Sequence, residues 1–430
     1  MSHPDYLDAT YDMFLSSIAG EQAESTRFAD WVREVERAGL FAFEGRRQAM
    51  QGTRVEVERT TGERHPVLNL SSYNYLGYST HPEVIEAAKA ALDRFGLGAA
   101  SSPVHGGTFS IHAQLEAELV DFFGLPDRGV TLFSSGYGVN TGTLSALLRK
   151  QHHVVMDRAA HMSILEGAQL SRAGLHYFEH NDPEDLDRVL TEVCGASSRV
   201  LVCVEGVYSA DGDFGALRAI RDVVKRHGAL LLVDEAHSFL VAGPHGRGVS
   251  EAAGVLEDVD LYVLTFSKAL GGVGGALVAK ADIARYVGWY ARCRMFSCAI
   301  DPAVTGGVRK ALELGRGPDG HARRTRIVEN AAHLRARLAD HVDLGTSESW
   351  IVPVIYGDEE RTLPLLDFVQ RNGLDGSVLQ FPAVGIGESR LRLFVTSEHT
   401  AAELDAAAEV VIRAAHQLGF ARDGAPPPAR

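Results

Sequence analysis

The stretch RVLVCVEGVYSADGDFGALRAIRDVVKRHGALLLVDEAH, residues 199–237, contains two apolar segments joined by one amphipathic segment. Arg199–Val204 and Ala229–Val233 are rich in Val and Leu, which favours β-strands, and Ala216–Arg226 repeats its apolar residues at helical spacing. Apolar strands joined by a helical crossover are typical of a parallel sheet with helices on both faces. The stretch therefore predicts an α/β fold.

The same alternation extends along the chain on both sides of this stretch. Further strands are predicted at Val130–Phe133, His153–Asp157, Leu175–Phe178 and Leu261–Thr265. Predicted helices separate several of them, at Tyr137–Arg149, Met162–Arg172 and Pro183–Val193. Together these segments predict a mostly parallel central sheet, and such sheets bind ligands at the carboxyl ends of their strands.

The sequence predicts four regions along the chain. Helical spacing in Phe28–Leu40 predicts an N-terminal helical arm over residues 1–60, which precedes the large α/β domain over residues 61–301. Strands predicted at Trp350–Tyr356 and Arg390–Phe394, with a final helix at Thr400–Leu418, indicate a smaller α+β domain over residues 302–420. The Pro-rich segment ARDGAPPPAR, residues 421–430, predicts a disordered tail.

The bulk properties exclude several classes of protein. The 430 residues carry a net charge of −14 without a basic cluster, which argues against nucleic-acid binding. The sequence has no apolar run of about 18 residues that could span a membrane, and its first 30 residues contain no basic leader, so we predict a cytoplasmic protein. The spacing of the four cysteines matches no zinc pattern, so no metal is expected.

Reactive residue types follow the predicted strands. Lys268, in the segment TFSKALGG after Leu261–Thr265, can be desolvated there, which would make it an amine nucleophile. The hydroxyls of Thr265 and Ser267 could donate to a phosphate, whereas an exposed loop lysine is the plainer interpretation of Lys268 alone. Asp234 would need a cationic partner such as a protonated pyridine nitrogen, unless backbone N–H groups satisfy it.

Three other sites follow strands in the same way. Residues 134–140, SSGYGVN, form a glycine-containing turn that opens a helix, whose free N–H groups and positive dipole end could bind an anion. His161 could stack on a planar ring or be an ordinary core or surface histidine, and Ser209 could bond a ring oxygen. One flat, phosphorylated, aldehyde-bearing ligand accounts for all five sites.

On these motifs the sequence resembles the α-oxoamine synthase family of fold-type I enzymes that depend on pyridoxal 5'-phosphate (PLP). The resemblance extends from about Leu40 to Leu418. The matching segments are SSYNYLGY at Ser71–Tyr78, SSGYGVN at Ser134–Asn140, EGVYSADGD at Glu205–Asp213, VDEAHS at Val233–Ser238, GRG at Gly246–Gly248, TFSKALGG at Thr265–Gly272 and ESRLRLFVTSEH at Glu388–His399. The implied fold is a PLP-dependent transferase with a mostly parallel central sheet and a smaller C-terminal domain.

The resemblance implies a set of catalytic residues. Lys268 would hold PLP as a Schiff base and later move the Cα proton, while Asp234 would pair with the pyridine nitrogen. His237 would contact the phenolic oxygen together with Ser209, and His161 would stack on the ring.

Further residues are implied for binding. Gly136, Tyr137 and Thr265 would bind the cofactor at its phosphate end, where Ser267 also lies. Arg392 would hold the amino-acid carboxylate, a task that suits a guanidinium fork. Asn74 lies in the N-terminal segment of the active site. In the family the segment containing Ser297 and Cys298 reaches the neighbouring subunit's phosphate, and either residue could contribute.

The resemblance implies a decarboxylative condensation of Ser, Ala or Gly with an acyl thioester, on CoA or a carrier protein, to give an α-aminoketone. A PLP-dependent aminotransferase or lyase of the same fold is the alternative, because a fold does not fix a reaction. A non-catalytic subunit is a further one. A homodimer is implied, and the apolar Phe41-Ala42-Phe43 favours a plain acyl chain.

Overall fold

The structure, a computed structural model, describes residues 21–194 and 199–427. The strands are β1 (Arg46–Arg47), β2 (Arg54–Glu58), β3 (Arg64–Asn69), β4 (Arg128–Phe133), β5 (His153–Asp157), β6 (Gly174–Phe178), β7 (Val200–Glu205), β8 (Leu230–Asp234), β9 (Leu261–Thr265), β10 (Gly275–Lys280), β11 (Ile351–Gly357), β12 (Leu374–Asp375), β13 (Ser377–Leu379) and β14 (Ser389–Phe394). The helices are α1 (Glu21–Arg37), α2 (Pro82–Phe95), α3 (Ser110–Phe123), α4 (Gly136–Leu147), α5 (Met162–Ser171), α6 (Pro183–Val193), α7 (Leu217–His227), α8 (Val249–Ala252), α9 (Ala281–Tyr290), α10 (Arg292–Met295), α11 (Pro302–Arg316), α12 (Pro318–Leu338), α13 (Thr362–Arg371) and α14 (Ala401–Leu418).

The central sheet confirms the predicted α/β fold. Its strand order is β4-β10-β9-β8-β7-β5-β6, and all neighbouring pairs from β9 to β6 are parallel. Side chains in the middle of these strands, such as Val202, Leu232 and Val263, are almost fully buried. They are buried because helices cover the sheet, as apolar strands without alternation predict.

One strand of this sheet is not among the predicted ones. β10 lies between β4 and β9 and is antiparallel to both. Its sequence GALVAK follows Gly271, Gly272 and Gly274, so glycine-rich sequence conceals the strand. The carboxyl end of β10 therefore points away from the edge at which β4 and β9 end.

The described residues group into two compact units. Unit 1 contains the residues up to Tyr73, Ala210–Gly212 and the residues from Arg326 onward, while unit 2 contains Asn74–Ser209 and Asp213–Thr325. The central sheet lies entirely in unit 2. The predicted division of the chain at residues 61 and 302 stays a prediction. The grouping differs from it because segments distant in sequence pair within unit 1.

The pairing in unit 1 corrects the prediction of a helical arm over residues 1–60. α1 ends at Arg37, and the following residues form an antiparallel ladder of β1, β2 and β3, which β12 extends in parallel. Val55 and Val57 are buried while Glu56 between them is exposed, which is the alternation of a strand with one face covered. Residues 1–20 of the predicted arm lie outside the described residues.

Buried polar contacts hold this unit together. Arg59 is 2% exposed; its Nη1 donates to Asp367 Oδ1 at 2.7 Å and its Nε to Gln370 Oε1 at 3.0 Å.

Unit 1 also contains the sheet β11-β14-β13, with β14 in the centre. Arg422 donates its backbone N–H to the carbonyl of His341 at 2.9 Å. Residues 428–430 lie outside the described residues, and disorder of the tail stays a prediction.

None of the helices in residues 21–194 and 199–427 is long and apolar enough to cross a bilayer.

Candidate active site

The parallel strands of unit 2 bring polar side chains to one edge of the sheet. β5, β7, β8 and β9 end at Asp157, Glu205, Asp234 and Thr265, and Glu205 is the register partner of Asp234. Because parallel strands end at a common edge, the segments that follow them lie there as well. Unit 2 contains nearly all of the predicted site residues, namely Asn74, Gly136, Tyr137, His161, Ser209, Asp234, His237, Thr265, Ser267 and Lys268.

Asp234 is a buried carboxylate with two neutral donors. It is 5% exposed, its Oδ2 accepts from Asn140 Nδ2 at 2.7 Å, and its Oδ1 accepts from the backbone N–H of Ala236 at 2.9 Å. The neighbouring Glu235 fits the alternative of a carboxylate satisfied by the backbone. It accepts from the N–H groups of Val249 and Ser250, at 2.9 and 2.8 Å, and from two serine hydroxyls. Of the two acids, Asp234 therefore has the fewer donors.

Lys268 and Glu205 share the electrostatic environment of Asp234. Burial, followed by the negative charge of Asp234, raises the pKa of Glu205 well above its usual range. The backbone N–H of His161 donates to Glu205 Oε1 at 2.6 Å and acts in the opposite direction, as does the positive charge of Lys268. The net effect favours the neutral form of Glu205, the acid nearest to Asp234 in the register of the sheet.

The start of α4 and the end of β9 bring together groups that could donate to an anion. Ser135 caps the helix by accepting from the backbone N–H of Gly138 at 2.9 Å, and Gly136 is the first helical residue. A Cβ on Gly136 would lie 2.6 Å from Thr265 Oγ1, so only glycine allows this approach. Thr265 Oγ1 lies 3.0 Å from Ser267 Oγ. Helix N–H groups and two hydroxyls at one point suit a phosphate.

Two histidines follow the ends of β5 and β8. His161 caps α5, with its Nδ1 2.7 Å from Ser163 Oγ, and its ring meets the Tyr137 ring edge-on at 6.0 Å. His237 is 6% exposed, and its Nδ1 lies 2.6 Å from the hydroxyl of Tyr75. The hydrogen bond fixes the orientation of the His237 ring, because Tyr75 is itself fully buried.

The remaining predicted residues of unit 2 lie in loops. Asn74 is 8% exposed and its Oδ1 accepts from the backbone N–H of Ser79 at 3.1 Å. Ser209 is half-buried in the loop that follows β7. Of the segment implied to reach a neighbouring subunit, Cys298 is exposed and Ser297 is half-buried.

Arg392 lies on β14 of unit 1 and is described there by itself. Its Nη2 donates to Ser377 Oγ at 3.1 Å, and the guanidinium carbon lies 5.0 Å from the Phe394 ring centre. Arg390, two residues earlier, instead forms an ion pair with Asp211. The implied role of Arg392 in binding a carboxylate stays a prediction.

Several residues that the sequence did not single out lie close to the predicted site residues. Asn140 and Tyr75 contact predicted site residues directly, and both stand in the quoted motifs, so motif membership was the available signal. Glu205 was visible as an acid at the end of a wholly apolar strand. His180 lies on no quoted motif, and its contacts are described below.

These residues fit PLP in their chemistry. Asp234 is a buried acid for a pyridine nitrogen, Lys268 supplies an amine for an aldehyde, and the glycine-only approach of Gly136 to Thr265 leaves N–H groups for a phosphate. A metal would need a cluster of at least three acidic, histidine or cysteine side chains. The described ranges contain no group of at least three such side chains that is arranged to hold a metal ion.

Comparisons with known proteins agree with this chemistry. The family model "Aminotransferase class I and II" matches residues 65–411. The 8-amino-7-oxononanoate synthase of Citrifermentans bemidjiense is 36% identical over 393 residues, which cover 91% of this chain and 99% of that protein. The same enzyme of Salmonella enteritidis is 37% identical over 345 residues, which cover 80% and 88% of the two chains.

Solved structures give the same result. A high-resolution structure of SPT with PLP internal aldimine superposes with a TM-score of 0.86 at 32% identity, covering 93% of this chain and 100% of that chain. The serine palmitoyltransferase of Sphingomonas wittichii gives a TM-score of 0.82 at 32% identity, covering 90% and 97%. The cofactor of this protein is PLP, and the protein is an enzyme of the acyltransferase type. The chain belongs to the α-oxoamine synthase family, within the class I and II aminotransferases.

Proposed function

We propose that the protein condenses a small α-amino acid with an acyl thioester, with loss of carbon dioxide, to give an α-aminoketone. The observation that carries this proposal is the grouping of Asp234, Glu205 and Lys268 at the common edge of β7, β8 and β9. When bound, PLP supplies an electron sink for the charge that remains at Cα once a proton or carboxylate has left.

In this proposal the residues of the chain hold and orient the reactants. The carboxylate of Asp234 would keep the pyridine nitrogen protonated, and its burial strengthens that pairing. The N–H groups at the start of α4, with Thr265 and Ser267, would bind the phosphate. His161 would lie against the ring. His237, held by Tyr75, would contact the phenolic oxygen with Ser209.

Lys268 would hold the cofactor and move the proton. Its amine would first bind the aldehyde, and the amine released on arrival of the amino acid would take the Cα proton. Burial and the charge of Asp234 raise the pKa of Glu205, which favours its neutral form and so weakens its attraction for the positive charge of Lys268. Asn74 and Arg392 are the proposed contacts for the substrate amino acid.

The acyl donor is the open part of the proposal. The inference from Phe41 to a plain acyl chain loses its basis, because Phe41 is 4% exposed and packs against Val35 and Leu363 in unit 1. The relatives named above are 8-amino-7-oxononanoate synthases and serine palmitoyltransferases at similar identity. Straight-chain and ω-carboxylated acyl groups are therefore both to be tested, on CoA and on a carrier protein.

The test follows the substrate protons first and the products second. The PLP-loaded protein is incubated with Gly, Ala or Ser in deuterium oxide, and loss of the Cα proton signal by NMR identifies the amino acid. Each acyl thioester is then added, and we expect free thiol and carbon dioxide in equal amounts. Formation of a keto acid and pyridoxamine phosphate would contradict the proposal in favour of an aminotransferase.

A lysine variant serves as the control for this test. Lys268→Ala is expected to lose the visible absorbance of bound PLP, the exchange of the Cα proton and product formation, because no other amine would hold the aldehyde. A wild-type protein that binds no PLP, or a Lys268→Ala protein that still turns over, contradicts the assignment.

We further propose that the protein works as a homodimer, in which the segment of Ser297 and Cys298 contributes to the partner's phosphate site. The support is the resemblance together with the exposure of Cys298. A cytoplasmic location also stays a proposal. The mass in solution, measured by light scattering, tests the first of these.

A further inference from the structure

A second polar cluster in unit 2 contains none of the residues to which the proposed function assigns a role. His180 follows β6, and its imidazole lies between two carboxylates: Nδ1 is 2.9 Å from Asp157 Oδ1, and Nε2 is 2.9 Å from Asp213 Oδ2. The ring of Tyr208 meets the His180 ring edge-on at 4.4 Å, and the Tyr208 hydroxyl donates to Asp157 Oδ2 at 2.8 Å.

The residue after His180 strengthens both ends of the cluster. Asn181 donates its backbone N–H to Asp157 Oδ2 at 2.9 Å, and its Nδ2 donates to Asp213 Oδ2 at 3.1 Å and to the Phe214 carbonyl at 3.0 Å. Asn181 has a φ of 53°, a left-handed conformation that asparagine tolerates better than most residues. The segment 180–181 is thus fitted to two carboxylates at once.

The cluster requires a charged imidazole. Both nitrogens of His180 face a carboxylate, and a histidine donates from both nitrogens only when it is protonated. Burial opposes the charge, but the hydrogen bonds and charges of Asp157 and Asp213 outweigh it and raise the pKa of His180 to about 10. The same contact lowers the pKa of Asp157 despite its burial. At neutral pH one cation therefore bridges two buried anions.

The two carboxylates belong to the two loops that carry proposed cofactor contacts. Asp157 ends β5, four residues before His161. Asp213 closes the loop that contains Ser209, because the backbone N–H of Tyr208 donates to its carbonyl at 3.1 Å. Resting on the proposed function, we infer that His180 is a positioning residue, which ties the loop of His161 to the loop of Ser209 and so fixes the geometry in which both meet the cofactor.

The test uses two substitutions that keep one contact each. His180→Asn places an amide near the position of Nδ1 and can still donate to Asp157, whereas His180→Gln reaches the position of Nε2 and Asp213. Neither carries a charge or spans both carboxylates. We expect each to raise the Kd for PLP about tenfold, as loss of an outer supporting contact commonly does, with the apoprotein still folded by its melting temperature.

A double-mutant cycle separates positioning from general stability. If His180 acts through the loop of Ser209, Ser209→Ala should raise the Kd for PLP less in the His180→Asn background than in wild type. The matched control is His227→Gln, because His227 pairs with the single carboxylate of Asp187 at 2.8 Å between α6 and α7. The control should bind PLP as wild type does.

Two outcomes overturn the inference. One is a Kd for PLP within twofold of wild type in both His180 variants, and the other is full additivity with Ser209→Ala. Failure of the proposed function is distinguishable from either outcome. A wild-type protein that binds PLP yet releases no thiol or carbon dioxide contradicts the reaction, while the Kd measurements still decide the role of His180.

Discussion

At the scale of single residues, Asp234 and Glu235 have different surroundings although they are adjacent acids at the end of one strand. Glu235 is surrounded by two backbone N–H groups and two hydroxyls, which explains it as a structural carboxylate. Asp234 has one side-chain amide and one backbone N–H group as donors. Its charge raises the pKa of Glu205, and the charge of Lys268 lowers it. Adjacent residues in sequence thus gain different roles from the direction in which each side chain points.

This difference predicts the effect of removing one charge. Asp234→Asn keeps the shape of the side chain but removes the negative charge proposed to hold the pyridine nitrogen protonated, so we expect kcat to fall about 100-fold or more. Steady-state release of thiol measures the effect. Asp260→Asn is the control, because Asp260 precedes β9 at the opposite edge of the same sheet and its carboxylate accepts from the N–H of Leu231. A kcat within tenfold of wild type for Asp234→Asn would contradict the role.

At the scale of secondary-structure elements, the junction of β4 and α4 carries the backbone N–H groups that are proposed to bind the phosphate. A methyl group at position 136 would lie 2.6 Å from Thr265 Oγ1, and a methyl group at position 138 would come no closer than 3.1 Å, to Ser135 Oγ. Gly136→Ala must therefore push the start of α4 away from β9, which should weaken the phosphate binding proposed there.

We expect Gly136→Ala to raise the Kd for PLP at least about tenfold, because the lost N–H contacts are charge-assisted hydrogen bonds. Gly138→Ala, two residues further along the same helix, should have a clearly smaller effect. Titration of the apoprotein with PLP, followed by absorbance, measures both. Equal Kd values for the two variants would show that the approach of Gly136 to Thr265 is not required.

The secondary-structure elements differ in how well the sequence predicts them. The apolar strands β5, β7, β8 and β9 were predictable almost to the residue, because a strand buried on both faces has a continuous apolar run. The strand β10 was missed because glycines precede it. The ladder of β1 to β3 was missed because at least half of the residues in each strand are polar. The candidate site could be predicted because its residues follow strand ends that the sequence shows. The partners of His180 could not, because they lie 23 and 33 residues away in sequence and meet it only through tertiary packing.

At the scale of the whole molecule, His399 in unit 1 and His180 in unit 2 have pKa shifts of opposite sign, so they make stability depend on pH in opposite directions. His399 of unit 1 is 4% exposed, and burial lowers its pKa to about 4. A histidine that is less basic in the folded state contributes stability above its unfolded pKa, and this stability is lost as the pH falls towards 4. His180 of unit 2 has the opposite shift, so its contribution is complete below its unfolded pKa and is lost as the pH rises towards 10.

Two substitutions should therefore change opposite limbs of the pH profile. His399→Asn keeps an acceptor for the backbone N–H of Thr396, which bonds His399 Nδ1 at 3.0 Å, and should reduce the loss of melting temperature between pH 6.5 and 4. His180→Asn should instead flatten the loss between pH 6.5 and 10, since its neutral amide has no proton to release. Calorimetry of the apoprotein across this range compares both variants with wild type. A His399→Asn profile that changes on the alkaline side, or a His180→Asn profile that changes only on the acid side, would contradict the assignment, because His399 gains its proton on the acid side and His180 loses its proton on the alkaline side.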